Sequence, residues 1–87
     1  MPKGNFVYIL LTEHNTLYCG YSDDVEKRFA EHKEGKGAKY TRAFKPVKIV
    51  YTKEFPTKSE ALKEEYRIKH KLNKKQKLDL ISNSNND

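Results

Sequence analysis

The chain has no tryptophan, a single cysteine and a single methionine among its 87 residues. A lone cysteine, Cys19, excludes an internal disulfide, and nothing else points to an oxidising compartment, so the sequence reads as cytoplasmic. Cys19 has two readings, a small buried strand residue or a reactive thiol, and the first is the commoner. No apolar run approaches the ~20 residues that span a bilayer. The N-terminal Met1-Pro2-Lys3-Gly4-Asn5 leads straight into a short apolar strand without a signal-peptide layout, so no membrane role is expected. A chain of this length is expected to form one domain, residues 1–81, with a compact core and modest stability. Residues 82–87, Ser82-Asn83-Ser84-Asn85-Asn86-Asp87, read as a disordered tail.

The most informative absence is of acids. Residues 35–53 contain no Asp or Glu, yet Lys36, Lys39, Arg42, Lys45, Lys48 and Lys53 all fall there. Those six equal the whole formal excess of +6, 18 basic residues against 12 acidic ones. Tyr40, Phe44 and Tyr51 are interleaved among them. Basic residues make salt-sensitive phosphate contacts and aromatic rings stack on bases, so the segment reads as a nucleic-acid surface or, alternatively, as a solvated lysine-rich face. An anionic membrane surface fits less well, because no strongly apolar helix face accompanies the charge.

Residues 5–11 are rich in aromatic and branched side chains and predict a strand. Glu13-His14-Asn15 supplies a turn, and residues 16–21 predict a second strand in an antiparallel hairpin. An odd-length loop is expected. A three-residue loop over residues 12–14 would set Tyr8 directly opposite Tyr18, whereas an even loop would put them on opposite faces. Ser22-Asp23-Asp24 caps a helix whose buried face is Val25, Phe29 and Ala30, ended by Gly35 and Gly37. Arg28 and His32 lie one turn apart on it, flanking the apolar stripe. A short helical turn over residues 37–44 is stopped by Pro46. Val47, Ile49 and Tyr51 alternate as a third strand, with Val50 partly buried on its other side. Thr57-Lys58-Ser59-Glu60 is a capping box that opens the longest helix, running to about Leu72. A last short helix, residues 74–81, is expected to dock through Leu78 and Ile81. The order ββαβα(α) gives an α+β fold, a small, mainly antiparallel three-stranded sheet flanked by helices.

One acid stands out on the long helix. At 100° per residue, with Ala61 at zero, Ile68 and Leu72 lie within about 20° of it and Glu65 falls at about 40°, inside the stripe. Glu64 falls nearer its edge, and Glu60 belongs to the capping box. A core-facing carboxylate costs several kcal/mol, about the price of desolvation, unless a cation compensates. Glu65 is therefore either half of an ion pair, with Lys69 or a basic residue opposite, or a ligand for a hard cation.

The tyrosine pair in Phe6-Val7-Tyr8 and Tyr18-Cys19-Gly20, a helical Arg28 and a later helical Glu65 together resemble the GIY-YIG nuclease superfamily. Its members include homing endonucleases, some restriction enzymes and the N-terminal nuclease of the bacterial excision-repair incision subunit, which brings DNA repair within the expected roles. The likeness spans residues 6–81 and is greatest to short bacterial proteins consisting of this domain alone. Gly35-Lys36-Gly37-Ala38-Lys39-Tyr40-Thr41-Arg42 and Ser59-Glu60-Ala61-Leu62 look typical of that branch. The first motif departs from Gly-Ile-Tyr but keeps its tyrosine. Many active relatives also carry an Asn about one helix beyond the Glu, where this chain has Lys77, and Asn73 comes earlier.

The resemblance implies catalytic roles for Tyr8, Tyr18, Arg28, His32 and Glu65, and a structural one for Gly20, which could otherwise simply relieve crowding at a strand end. It implies phosphodiester hydrolysis with a single Mg²⁺ (or Mn²⁺) at Glu65, Arg28 on two phosphate oxygens, and Tyr18 positioning the phosphate or sharing a proton. Tyr8 is implied to orient or deprotonate the water, which for a phenol of reference pKa about 10 needs nearby positive charge. His32 and the metal are the candidate sources. Lys36, Lys39, Tyr40, Arg42 and Lys45 are the expected nucleic-acid contacts. With no room for a specificity domain, loosely selective or structure-selective cutting of DNA is expected. The alternatives are a non-catalytic nucleic-acid-binding module with the same fold, or a nuclease subunit targeted by a protein partner.

Overall fold

The computed structural model describes residues 3–84. The elements are β1 (Asn5–Thr12), β2 (Leu17–Ser22), α1 (Val25–Lys33), α2 (Lys39–Ala43), β3 (Pro46–Phe55), α3 (Lys58–Lys71) and α4 (Lys74–Ser84). The three strands form one antiparallel sheet in the order β2-β1-β3, giving the expected α+β fold.

β1 is central and buried on both faces, which is why its apolar run is nearly continuous. Val7 and Ile9 point to one side, where they pack with Cys19, Tyr51, Ala61 and Ile68, so this face carries α3 and α4. Tyr8 and Leu10 point to the other, where they pack with Val25, Phe29 and Ile49 under α1. Truncating Ile68, fully buried on the core face of α3, to Ala costs about 2–5 kcal/mol.

The hairpin loop is odd in length, as expected, but sits one residue later. Thr12 N–H donates to the Thr16 carbonyl, and Glu13, His14 and Asn15 make the turn, with Asn15 in the left-handed region at φ 60°. Leu11 therefore pairs with Leu17, Leu10 with Tyr18 and Tyr8 with Gly20. Tyr8 and Tyr18 share a face as diagonal neighbours instead of standing directly opposite.

β3 is longer than expected and does not alternate evenly. Ile9 pairs with Tyr51 but Leu10 pairs with Ile49, so the ladder slips at Val50. A bulge there turns Val50 and Tyr51 to the α3 face while Ile49 faces α1. Val47 is exposed.

Asp24 caps α1 by accepting from the Lys27 amide, and Thr57 caps α3 by accepting from the Glu60 amide. On α1, Ala30 is exposed and the buried position two residues on belongs to His32. α4 opens on a full capping box, with Asn73 and Gln76 exchanging amide-to-side-chain bonds of 2.9 and 2.8 Å. It docks through Leu80 and Ile81, while Leu78 is exposed. The helix continues through Ser82 to Ser84, three residues that composition assigns to the tail; residues 85–87 lie outside the described ones.

Candidate active site

The site is built on the α1 face of the hairpin. Tyr8 projects from β1 and is only 1% exposed. Its hydroxyl lies 2.9 Å from Nε2 of His32, whose ring is wholly buried. His32 Nδ1 lies 2.7 Å from Thr41 Oγ1, and the Thr41 hydroxyl donates to the Ala38 carbonyl at 2.9 Å. Two glycines make room for these rings. A Cβ on Gly20 would stand 2.5 Å from the Tyr8 hydroxyl oxygen and 2.7 Å from Cζ. A Cβ on Gly37 would overlap His32 Nδ1 and come within 2.6 Å of Cε1. The glycine that closes the second motif is therefore needed because Tyr8 lies across it.

Tyr18 projects from the edge strand β2 beside these groups. Its ring centroid is 6.4 Å from that of Tyr8 and 5.2 Å from that of His32, the latter edge-on. Tyr40 stacks on its flank at 5.8 Å and donates its hydroxyl to Thr16, which ties α2 to the hairpin. Arg28, half-buried on α1, pairs with Glu31 at 3.3 Å and lines an open cleft of about 260 Å³ with Ser22, Asp24 and Glu31.

Burial pushes the Tyr8 phenol well above its ordinary value; the neighbouring Tyr18 adds to this, and the Arg28 guanidinium beside it pulls back. Burial, reinforced by Arg28, also holds His32 below its ordinary value. The expectation that His32 supplies positive charge to Tyr8 is thus corrected. A wholly buried imidazole next to a guanidinium stays neutral near pH 7, and it meets the phenol as a hydrogen-bond partner. Positive charge near Tyr8 comes from Arg28.

Tyr8, Tyr18, Arg28 and His32 come together on the α1 face; Glu65 stands on the α3 face. Its carboxylate pairs with Lys69 at 3.4 Å, and the Lys69 ammonium sits 5.7 Å from the Tyr18 ring centroid. Glu65 therefore approaches the cluster around the edge of β2. It also raises the buried Cys19 thiol, which burial in the first place pushes up to about 12, so Cys19 is a core residue and no reactive thiol. Glu65 is not singled out by burial as the helical wheel implies. The Glu64 side chain is 17% exposed and that of Glu65 20%. The two acids flank the Ala61–Ile68 line, Glu64 toward β3 with a two-pronged bond from Arg67 and Glu65 toward β2. Among the described residues, no group of three or more His, Cys, Asp or Glu side chains could hold a metal ion. Glu65 suits a magnesium-like ion only as a single protein carboxylate, with water and phosphate oxygens completing the shell, a common arrangement for that metal.

Residue type marks Gly37 only as a helix stop and does not mark Thr41 at all. The signal that both share is position, inside the Gly35–Arg42 stretch that looks typical of the short branch. Lys36, Lys39, Arg42 and Lys45 are all exposed. Of the aromatic residues in the segment, Tyr40 is exposed with one flank stacked on Tyr18, whereas Tyr51 is in the core and Phe44 packs on His14 and Tyr40.

The family profile described as the GIY-YIG catalytic domain matches residues 4–79. The chain belongs to the GIY-YIG family. This is a nuclease superfamily whose members generally use divalent metal ions, and the domain points to nucleic-acid binding. Among curated proteins this GIY-YIG chain is 53% identical over 78 residues to the UPF0213 protein YsiG of Lactococcus lactis, covering 90% of this chain and 75% of that protein. It is 49% identical to a UPF0213 protein of Staphylococcus saprophyticus, covering 90% and 94%. The solution NMR structure of the UPF0213 protein BH0048 from Bacillus halodurans superposes with a TM-score of 0.62 at 43% identity, covering 94% of this chain and 86% of that one. No helix among the described residues is long and apolar enough to cross a membrane.

Proposed function

We propose that this GIY-YIG chain is a metal-dependent nuclease that hydrolyses phosphodiester bonds in DNA with low or structure-based sequence selectivity. The observation that carries the proposal is the buried hydrogen bond of 2.9 Å between Tyr8 and a neutral His32, with Arg28 beside it, in a chain of a nuclease superfamily. A tyrosine buried at an energetic cost and aimed at an imidazole acceptor is better suited to moving a proton than to packing.

In this reading Arg28 leaves Glu31 to grip two phosphate oxygens, a task that suits its planar fork. Tyr8 orients the attacking water and takes its proton as its own passes to His32. Tyr18, half-buried along one side of the cluster, positions the phosphate. A single Mg²⁺ or Mn²⁺ bound through Glu65 would supply charge neutralisation at the phosphate and help for the leaving oxygen. Lys69 shares Glu65 in the unbound chain and is the cation that it replaces. Lys36, Lys39, Arg42 and Lys45, exposed on one acid-free segment, carry the DNA backbone by phosphate contacts.

The absence of an Asn at Lys77 and the Glu65–Lys69 pair favour a second reading, a DNA-binding module that does not cut. Labelled single-stranded, duplex and branched DNA incubated with Mg²⁺ or EDTA separates the two. The nuclease reading expects Mg²⁺-dependent cleavage that is lost in Arg28→Ala; salt-sensitive binding with no cleavage of any substrate supports the module instead.

A further inference from the structure

We infer that Thr41 is a positioning residue that holds His32 as its Nδ1–H tautomer and so presents a bare Nε2 to the Tyr8 hydroxyl. The argument is one of hydrogen counting. Three contacts run in series: Tyr8 hydroxyl to His32 Nε2 at 2.9 Å, His32 Nδ1 to Thr41 Oγ1 at 2.7 Å, and Thr41 Oγ1 to the Ala38 carbonyl at 2.9 Å. The carbonyl can only accept, so the one Thr41 hydrogen is committed to it. Thr41 Oγ1 must then accept from His32, which puts the imidazole proton on Nδ1. A neutral ring with its proton there has a lone pair on Nε2, and the Tyr8 hydroxyl donates to it. For a neutral ring, which burial and the neighbouring Arg28 favour, only this arrangement fills all three contacts.

Nothing nearby offers the ring a second choice. His32 and Thr41 are both fully buried, and Gly37 lies against Nδ1 and Cε1 of the ring, where any side chain would collide. α2 is one turn and a half long, and its placement depends on Tyr40 and Phe44 packing on the hairpin. That placement delivers Thr41 to the ring from outside the tyrosine motifs. The short acid-free segment thus has a task besides its charge: its buried threonine sets the direction of the hydrogen bonds that end at Tyr8.

The tautomer follows from the three contacts and a neutral ring; its use in proton transfer rests on the nuclease reading. There, the attacking water's oxygen forms the new P–O bond and its proton goes to the Tyr8 oxygen. The Tyr8 proton passes to His32 Nε2, the bond to the leaving oxygen breaks, and that oxygen takes a proton from solvent. The imidazolium then returns its proton to solvent through Tyr8. The phenol need never persist as a free phenolate, which its buried position disfavours.

The test is a long-range ¹H–¹⁵N correlation spectrum of the histidine rings in the full chain above neutral pH. For the wild type, His32 is expected to show a protonated Nδ1 and a pyridine-like Nε2, while exposed His14 and His70 average between tautomers. Thr41→Ser, which keeps the hydroxyl, should preserve that pattern. Thr41→Val, which keeps the shape but accepts nothing, should move the proton to Nε2 in much of the population. An Nε2–H tautomer in the wild type, or an unchanged one in Thr41→Val with a native backbone spectrum, overturns the inference. If Thr41→Val does not fold, the wild-type and Thr41→Ser spectra still decide it. In the cleavage assay, Thr41→Val should lose on the order of 10²- to 10⁴-fold in rate with DNA binding intact, the range of a general-base contribution, and Thr41→Ser should recover most of it. A wild type that shows the tautomer but never cuts DNA sinks the nuclease reading and leaves the role of Thr41 standing.

Discussion

Tyr8 and Gly20 form the smallest unit that makes chemical sense of the paired motifs. Across the hairpin the tyrosine ring lies on the glycine backbone, and a Cβ there would come within 2.7 Å of Cζ. Gly20→Ala is therefore expected to cost about 1–3 kcal/mol in denaturant unfolding, the range for overpacking a filled site, and to displace Tyr8 from His32. An unfolding midpoint equal to wild type would contradict that contact. His32 sets a pH dependence. Burial, then Arg28, hold its folded-state pKa below the unfolded value near 6.5. Between the two values the unfolded chain binds more protons, so stability is complete above about 6.5 and is lost as pH falls through that window. Glu64, lowered chiefly by Arg67, acts separately and only in more acidic solution. The thermal midpoint should fall between pH 7.5 and pH 5.5 in the wild type, and His32→Gln should flatten the curve there; thermal melts across that range check both.

At the scale of elements, caps explain positions that the resemblance leaves over. Asn73, too early for the late Asn of active relatives, is the N-cap of α4 in a reciprocal box with Gln76. Asn73→Ala should cost about 1 kcal/mol of stability, measured by urea unfolding, and leave cleavage unchanged. Every element is legible in the sequence, because local signals declare them: the aromatic strand, the Asp24 and Thr57 caps, and Pro46 at the start of β3. What is not legible depends on contacts between elements. The Val50 bulge, which sends Ile49 and Tyr51 to opposite faces, appears only when β3 is laid against β1. The turn sits one residue later, and the register two residues away, because Asn15 accepts the left-handed turn position. In the site, Tyr8, Arg28 and His32 are reached through the family resemblance, but Thr41 is a polar residue whose importance lies in its partner. Glu65 was singled out by a wheel that centres on Ala61, whereas the buried line places Glu64 equally near.

Over the whole molecule, the two faces of the sheet divide the work. α3 and α4 close the larger apolar core, and α1 and α2 build the polar cluster on the other side of β1. The acid-free segment places the exposed Lys36, Lys39, Arg42 and Lys45 on and around α2, while Lys53 at its end lies toward Glu64 on the α3 side. If this segment carries DNA, each of Lys36, Lys39, Arg42 and Lys45 changed to Ala should weaken binding across sequences alike. Each should also lower the slope of log K against log salt by about 0.9 on duplex DNA, as read by fluorescence anisotropy at several salt concentrations. On the nuclease reading the two faces must be joined, since Glu65 meets the cluster around the edge of β2, through Lys69 and Tyr18. Glu64 and Glu65 are equally buried on the same helix, yet only one is directed at that edge. Single-turnover cleavage of the preferred DNA substrate with Mg²⁺, comparing Glu65→Gln with Glu64→Gln, therefore tests the account most directly. It predicts a loss on the order of 10²-fold or more for Glu65→Gln and a rate near wild type for Glu64→Gln; equal losses in the two, or full activity in Glu65→Gln, would contradict it.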